Sequence, residues 1–254
     1  MAHIITIANQ KGGVGKTTTT AALADGLNQK GYKVLQIDLD GQGNLSYTAG
    51  ANTEGLTSLE VLHRNTTARE AIQYTATGDI IAASPNLAGS DRDLTGVGAD
   101  KRLKEALEPM RSKYDFIIID APPSLSILTI NAITAADSLV ITAQADIYSL
   151  QGIGQLYSTI RAIQKSTNKG LKIAGILLTR YNGRAVLTRD LTDMAEQTAA
   201  QLNTKIFNAK IRESVTVKEA QASGQSVLTY SPKSNPAKDY SEFMEELLKD
   251  LKRG

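Results

Sequence analysis

The chain has 254 residues, 41% hydrophobic and 21% charged, a balance usual for a soluble globular protein and long enough to bury one α/β core or two small ones. A net charge of +2 singles out no partner, and the absence of cysteine excludes a disulfide framework, a Cys-held iron–sulfur cluster and a cysteine nucleophile. No apolar run reaches membrane-span length and the first residues lack a signal-peptide order, so a cytoplasmic protein is expected.

In chain order, Ile4–Ala8 reads as a strand, Thr17–Lys30 as a helix and Lys33–Asp38 as a second strand. Gly41–Asn52, rich in Gly, Asn, Ser and Thr, reads as loop, and Leu56–Tyr74 as one or two short helices. Asp79–Ala83 is a predicted strand, Lys101–Lys113 a helix, and Phe116–Asp120 and Ser138–Ala143 apolar strands. Ser149–Lys165 and Ala185–Leu202 read as helices around a strand at Lys172–Leu178. Lys205–Ile206 is a possible short strand, Val215–Ala222 a short helix and Asp239–Lys252 the closing helix. Strands apolar throughout and spaced by helical lengths predict an α/β fold of P-loop NTPase type. Its central sheet is mostly parallel, with helices on both faces. With no linker, repeat or low-complexity tract, residues 1–254 read as a single domain.

Between the first strand and the first helix lies Lys11-Gly12-Gly13-Val14-Gly15-Lys16-Thr17-Thr18. A strand that turns through glycines into a helix N-terminus aims backbone N–H groups and the positive end of the helix dipole at a phosphate. Gly15-Lys16-Thr17 matches the end of the pattern G-x-x-x-x-G-K-[ST], with Lys16 for the β- and γ-phosphates and Thr17 for Mg²⁺. The first glycine of that pattern is replaced by Gln10, and Lys11 and Gly12-Gly13 follow it. Two further strands end in acids, at Ile37-Asp38-Leu39-Asp40 and at Asp120-Ala121-Pro122-Pro123. Ligands of open α/β sheets sit at the carboxyl ends of strands, so Asp120 is expected to hold Mg²⁺, directly or through water, and Asp40 to orient or activate the attacking water. Asp38 reads either as a site acid or as a cap on the following turn. His3 and His63 have no metal-ligand partners at useful spacing and read as packing or surface residues.

These three segments resemble the ParA/MinD family of deviant Walker ATPases, and most closely its ParA/Soj partition branch. Asp40-Gly41-Gln42-Gly43-Asn44 is similar to the family's D-P-Q-G-N, with Gly41 for proline. Ile211-Arg212-Glu213-Ser214-Val215-Thr216-Val217-Lys218-Glu219-Ala220 is similar to its later I-P-R-x-x-x-x-x-E-A stretch, with Arg212 at the proline position. By the same resemblance, Asp120 acts on Mg²⁺ through water. The resemblance implies that Lys11 crosses to the nucleotide of a second subunit in an ATP-sandwich dimer. It also implies that Lys11, Lys16 and Asp40 serve hydrolysis, and that Arg180, Ile211 and Arg212 lie near the adenine.

From Ile147 to Arg189 there is no Asp or Glu, against 26 in the whole chain, while Arg161, Lys165, Lys169, Lys172, Arg180, Arg184 and Arg189 fall inside that span. A shared basic face would attract a phosphate backbone without reading sequence. Together with the resemblance, this marks Arg161, Lys165, Arg184 and Arg189 as DNA-binding candidates. The chain opens at the P-loop strand with no helix-turn-helix ahead of it, so non-specific double-stranded DNA is the expected target. A ParB-like partner is expected to stimulate hydrolysis at the nucleoid. A MinD-like membrane-cycling regulator, a positioner of protein cargo and a switch with negligible hydrolysis are the alternatives; nitrogenase-type reductase chemistry is excluded by the missing cysteines. In the closing helix, Tyr240, Phe243, Met244, Leu247, Leu248 and Leu251 recur at helical spacing opposite Asp239, Glu242, Glu245, Glu246 and Asp250. An acidic face is repelled by anionic lipid, so this helix is expected to pack on the sheet, with no stable membrane association.

Overall fold

Strands that are apolar on both sides need cover on both sides, and the computed structural model of the chain supplies it. It describes residues 1–183 and 186–252, and their side chains except at positions 91, 147, 148, 150, 151 and 186–190. The strands are β1 (His3–Ala8), β2 (Val34–Asp38), β3 (Ile72–Thr75), β4 (Gly78–Ile81), β5 (Phe116–Asp120), β6 (Ser138–Gln144) and β7 (Lys172–Thr179). The helices are α1 (Lys16–Gln29), α2 (Asn44–Thr48), α3 (Ser58–His63), α4 (Ser90–Asp93), α5 (Arg102–Leu107), α6 (Ile127–Ala135), α7 (Ile147–Ser166), α8 (Val186–Gln201), α9 (Val215–Ala222), α10 (Val227–Tyr230) and α11 (Asn235–Leu251).

The strands form one sheet in the order β3-β4-β2-β5-β1-β6-β7. All neighbours are parallel except β3 and β4. Alternate side chains feed two cores. Ile4, Leu35, Ile37, Ile117 and Ile119 pack under α3, α5, α6, α7 and α8, whereas Ile5, Ile7, Val34 and Ile118 pack under α1, α9, α10 and α11. In the closing helix, Tyr240, Phe243, Met244, Leu247 and Leu248 are buried in that second core, as the spacing predicts. No described helix is long and apolar enough to cross a membrane.

Several elements depart from the sequence reading, each for a local reason. The polar stretch 41–52 contains α2, held down by the fully buried Leu45. The 56–74 region holds only one helix, started by a Thr57/Glu60 capping box. Ile72–Thr75 is instead an edge strand in a hairpin with β4. The run 101–113 divides, because Pro109 cannot continue an α-helix, leaving α5 between two 3₁₀ turns. Three further helices escaped notice, α4 at Ser90–Asp93, α6 behind its Ser126 cap and α10 behind its Ser226 cap. Lys205–Ile206 contributes only a single bridge, Ile206 to Ile176. The closing helix starts earlier than predicted, at Asn235, with a Ser234 cap and Pro236 in its first turn.

At the amino ends of the strands, Asp137 joins three elements. It accepts hydrogen bonds from Ile4 N at 2.9 Å, Arg111 Nη1 at 2.8 Å and Arg111 Nη2 at 3.0 Å. Burial alone would raise this carboxyl, but the Arg111 and Ile4 hydrogen bonds outweigh it and hold the group below the usual carboxylate range. A depressed acid contributes stability above its unfolded value of about 3.9 and loses it as pH falls through the folded one. Asp137→Asn should therefore lower stability at neutral pH by about 1–2 kcal/mol, allowing for partial solvent screening. Urea midpoints of variant and parent should converge below about pH 4.

Candidate nucleotide site

The carboxyl ends of β1, β2 and β5 stand side by side, with adjacent strands about 4.8 Å apart, and each delivers one predicted motif. After β1 the chain turns through Gly13 (φ 73°) and Gly15 (φ 81°), both left-handed conformations that disfavour side-chained residues. Gly15 is the N-cap of α1, and its first turn has neither a side-chain cap nor an acid. The first amides of α1 thus stay open to an anion. The loop is braced from neighbouring strand ends. Thr179 Oγ1 donates to Val14 O at 2.9 Å, and Gln144 Nε2 donates to Gly13 O at 3.0 Å.

Beside this loop is a cavity of about 510 Å³. It is lined by Gly12, Gly13, Gly15, Lys16, Thr17 and Thr18 of the loop and by Arg180 and the 211–214 segment, which adjoin the end of β7. Asp40 and Pro123 also reach it. Val14 is fully buried, anchoring the loop from below. Lys16 is 6% exposed, and its ammonium donates to Lys11 O at 3.1 Å. Burial lowers its pKa, against the opposing pull of Asp120 and Asp40.

The three strand-end acids differ sharply. Asp38 is fully buried and accepts from Ser46 N and Ser46 Oγ, each at 2.8 Å, and from Asp40 N at 3.1 Å. Burial raises it to about 6 despite those bonds. Its bonds organise the turn after β2, the capping alternative of the two sequence readings. Asp120 is also fully buried, and neither carboxylate oxygen has a hydrogen-bond partner of normal geometry. Burial, then the neighbouring Asp38, push it well above the usual carboxylate range, with the Thr17 hydroxyl and Lys16 opposing. An orphaned carboxylate beneath an open phosphate cradle, with the Thr17 hydroxyl near it, fits the outer sphere of a hydrated Mg²⁺. Among the described residues no cluster of three or more His, Cys, Asp or Glu could hold a metal. Asp40 is the one of the three acids that reaches the cavity.

Lys11 turns away from this cavity. Its ammonium donates to Asp146 Oδ2 at 2.7 Å and to Ser149 Oγ at 3.4 Å. Burial would raise Asp146, but Lys11 and Ser149 outweigh it and lower its pKa. The sequence reading missed Gln144, Asp146 and Thr179, although polar residues at the ends of apolar strands were a visible signal.

Of the four DNA-binding candidates, Arg161 and Lys165 have described side chains, and both belong to α7. The helix α7 begins beside Lys11 and runs about 30 Å toward the amino ends of the strands. Arg161 and Lys165 lie in its far half. Lys172 opens β7 opposite Ser138, whereas Arg180 follows the other end of that strand. Arg184 lies outside the described residues, as does the side chain of Arg189.

A family model described as an AAA domain, AAA_31, matches residues 2–173. The sporulation initiation inhibitor protein Soj of Bacillus subtilis is 38% identical over 252 residues, covering 97% of this chain and 98% of that one. Among solved structures, cobyrinic acid a,c-diamide synthase from Mycobacterium smegmatis with bound ADP and magnesium superposes with a TM-score of 0.85. It is 33% identical and covers 99% of this chain and 96% of its own. The cell division ATPase MinD of Pyrococcus furiosus superposes with a TM-score of 0.80 at 27% identity, covering 98% of this chain and 99% of its own. With a P-loop, two strand-end acids and near-full-length similarity of this degree, the chain belongs to the ParA/Soj family of partition ATPases.

Proposed function

We propose that this protein is a cytoplasmic ATP hydrolase of DNA partition that uses Mg²⁺ and cycles between a monomer and an ATP-bound homodimer. The observation that carries the reading is the fully buried Asp120 carboxylate, close to the Thr17 hydroxyl and the Lys16 ammonium that line an open, glycine-rich cradle. The glycine loop and the start of α1 bind the phosphates through backbone N–H groups. Lys16 offsets their charge in cis, and Thr17 and Asp120 place the Mg²⁺, Asp120 through water. The bound ion supplies charge neutralisation across the β- and γ-phosphates. Asp40 orients the attacking water and accepts its proton. The nucleoside lies against Arg180, Ile211 and Arg212, which line the same cavity as the glycine loop.

Lys11 supports the dimer. Its ammonium serves no group in its own cavity, and it sits at the carboxyl face, where a second subunit's triphosphate would meet it. Residues 1–254 act as one ATPase domain. The dimer binds double-stranded DNA non-specifically through its basic surface, at the nucleoid, and a ParB-like protein stimulates hydrolysis and release. A MinD-like membrane cycle is disfavoured by α11, whose apolar side chains are spent in the core.

The test is DNA retardation with ATP, ADP or no nucleotide at two salt concentrations, alongside sedimentation with a hydrolysis-resistant ATP and Mg²⁺. Retardation is expected only with ATP, and it should weaken steeply with salt because phosphate contacts release counterions. A monomer that stays a monomer with the analogue overturns the dimer. Retardation that ignores nucleotide overturns the switch.

A further inference from the structure

One acid in α11 departs from the solvated face that its helical spacing predicts. Asp239 is 4% exposed, and all four hydrogen bonds described for its carboxylate come from Arg212. They run from Arg212 N at 3.0 Å, from Arg212 Nε at 2.9 and 3.1 Å, and from Arg212 Nη2 at 2.5 Å. A side-chain fork and a peptide N–H on one carboxylate fix the backbone as well as the guanidinium. Proline at 212 would have no N–H to give.

Arg212 belongs to the cavity wall, and Asp239 does not reach the cavity. Elsewhere that wall is held by backbone bonds to β7 and the residues after it, from Ile211 N to Leu178 O at 2.8 Å and from Tyr181 N to Ile211 O at 2.9 Å, and by an exposed ion pair from Arg180 Nη2 to Glu213 Oε1 at 2.8 Å. The next residue of α11, Tyr240, lines the cavity and pairs its hydroxyl with Thr19 Oγ1 of α1 at 3.3 Å. Two successive residues of α11 thus grip two parts of the site, Asp239 the 211–214 segment and Tyr240 the P-loop helix.

We infer that Asp239, acting through Arg212, is a positioning residue for the nucleoside half of the ligand, an inference that rests on the nucleotide reading above. Holding the 211–214 wall in its bound arrangement before ligand arrives removes an ordering cost from binding. Because the carboxylate is out of reach of the ligand, its effect passes through the wall alone.

The test compares ATP with inorganic tripolyphosphate, which needs only the phosphate cradle, by calorimetry with Mg²⁺ on the full chain. Asp239→Asn is expected to weaken ATP about tenfold and to leave tripolyphosphate within about twofold of wild type. Amide exchange across 211–214 should quicken in the same variant. Arg212 is half exposed and can turn to water when released, and Asp239→Leu, which removes the buried polar group, provides a second variant with the same expected ratio. ATP affinity within twofold of wild type, or equal weakening of both ligands, overturns the inference and leaves the nucleotide reading standing. Wild-type protein that bound neither ligand would overturn both.

Discussion

Lys16→Ala should abolish measurable ATP binding while leaving the fold intact. The ammonium is nearly buried, and in the free protein it has only the Lys11 carbonyl as a hydrogen-bond partner. Its burial disfavours the charged form, so the free protein gains little from it. Triphosphate reverses that balance. Two charge-assisted hydrogen bonds at about 1.5–3 kcal/mol each correspond to a loss of at least about 100-fold in affinity. Thermal melting without nucleotide should show the variant as stable as the parent or slightly more so. Retained ATP affinity in calorimetry would refute the assigned role of the loop.

Asp40→Ala should separate assembly from turnover. Asp38 is committed to the Ser46 and Asp40 backbone and side-chain bonds, and Asp120 lies under the cradle. Asp40 alone of the three reaches the cavity, where it also accepts Gln42 N at 3.1 Å. General-base assistance is worth roughly 10²–10⁴ in rate. The variant should still dimerise with ATP and Mg²⁺ but release phosphate at least about 100-fold more slowly. Undiminished phosphate release would overturn the choice of Asp40.

The phosphate end of the site was legible because its chemistry is local. Gly13, Gly15, Lys16 and Thr17 are consecutive or nearly so, and the strand before them is uniformly apolar, so spacing alone places them. Asp40 and Asp120 could be read because apolar strands announce where they end. Other features depend on partners distant in the chain. Asp239 looked solvated by helical spacing, and only the fold brings Arg212, 27 positions away, onto it. Lys11 and Asp146 are likewise 135 positions apart. Within the acid-free basic span, Lys172 and Arg180 open and follow a strand about 26 Å long, a separation that residue spacing alone does not give. Short elements such as α2 and β3 were lost because four or five residues carry too little periodicity to register.

The strand order gives the ligand two supports of unequal stiffness. Those carrying the phosphate machinery, β2, β5 and β1, are consecutive and interior to the sheet, with parallel ladders on either side. The 211–214 wall hangs from one ladder edge and a few clasps, among them Asp239 on Arg212 and Glu213 on Arg180. Opening free energies follow such differences in enclosure. The molecule should therefore admit and discharge its ligand by yielding on the nucleoside side, while the triphosphate anchorage stays rigid through each round.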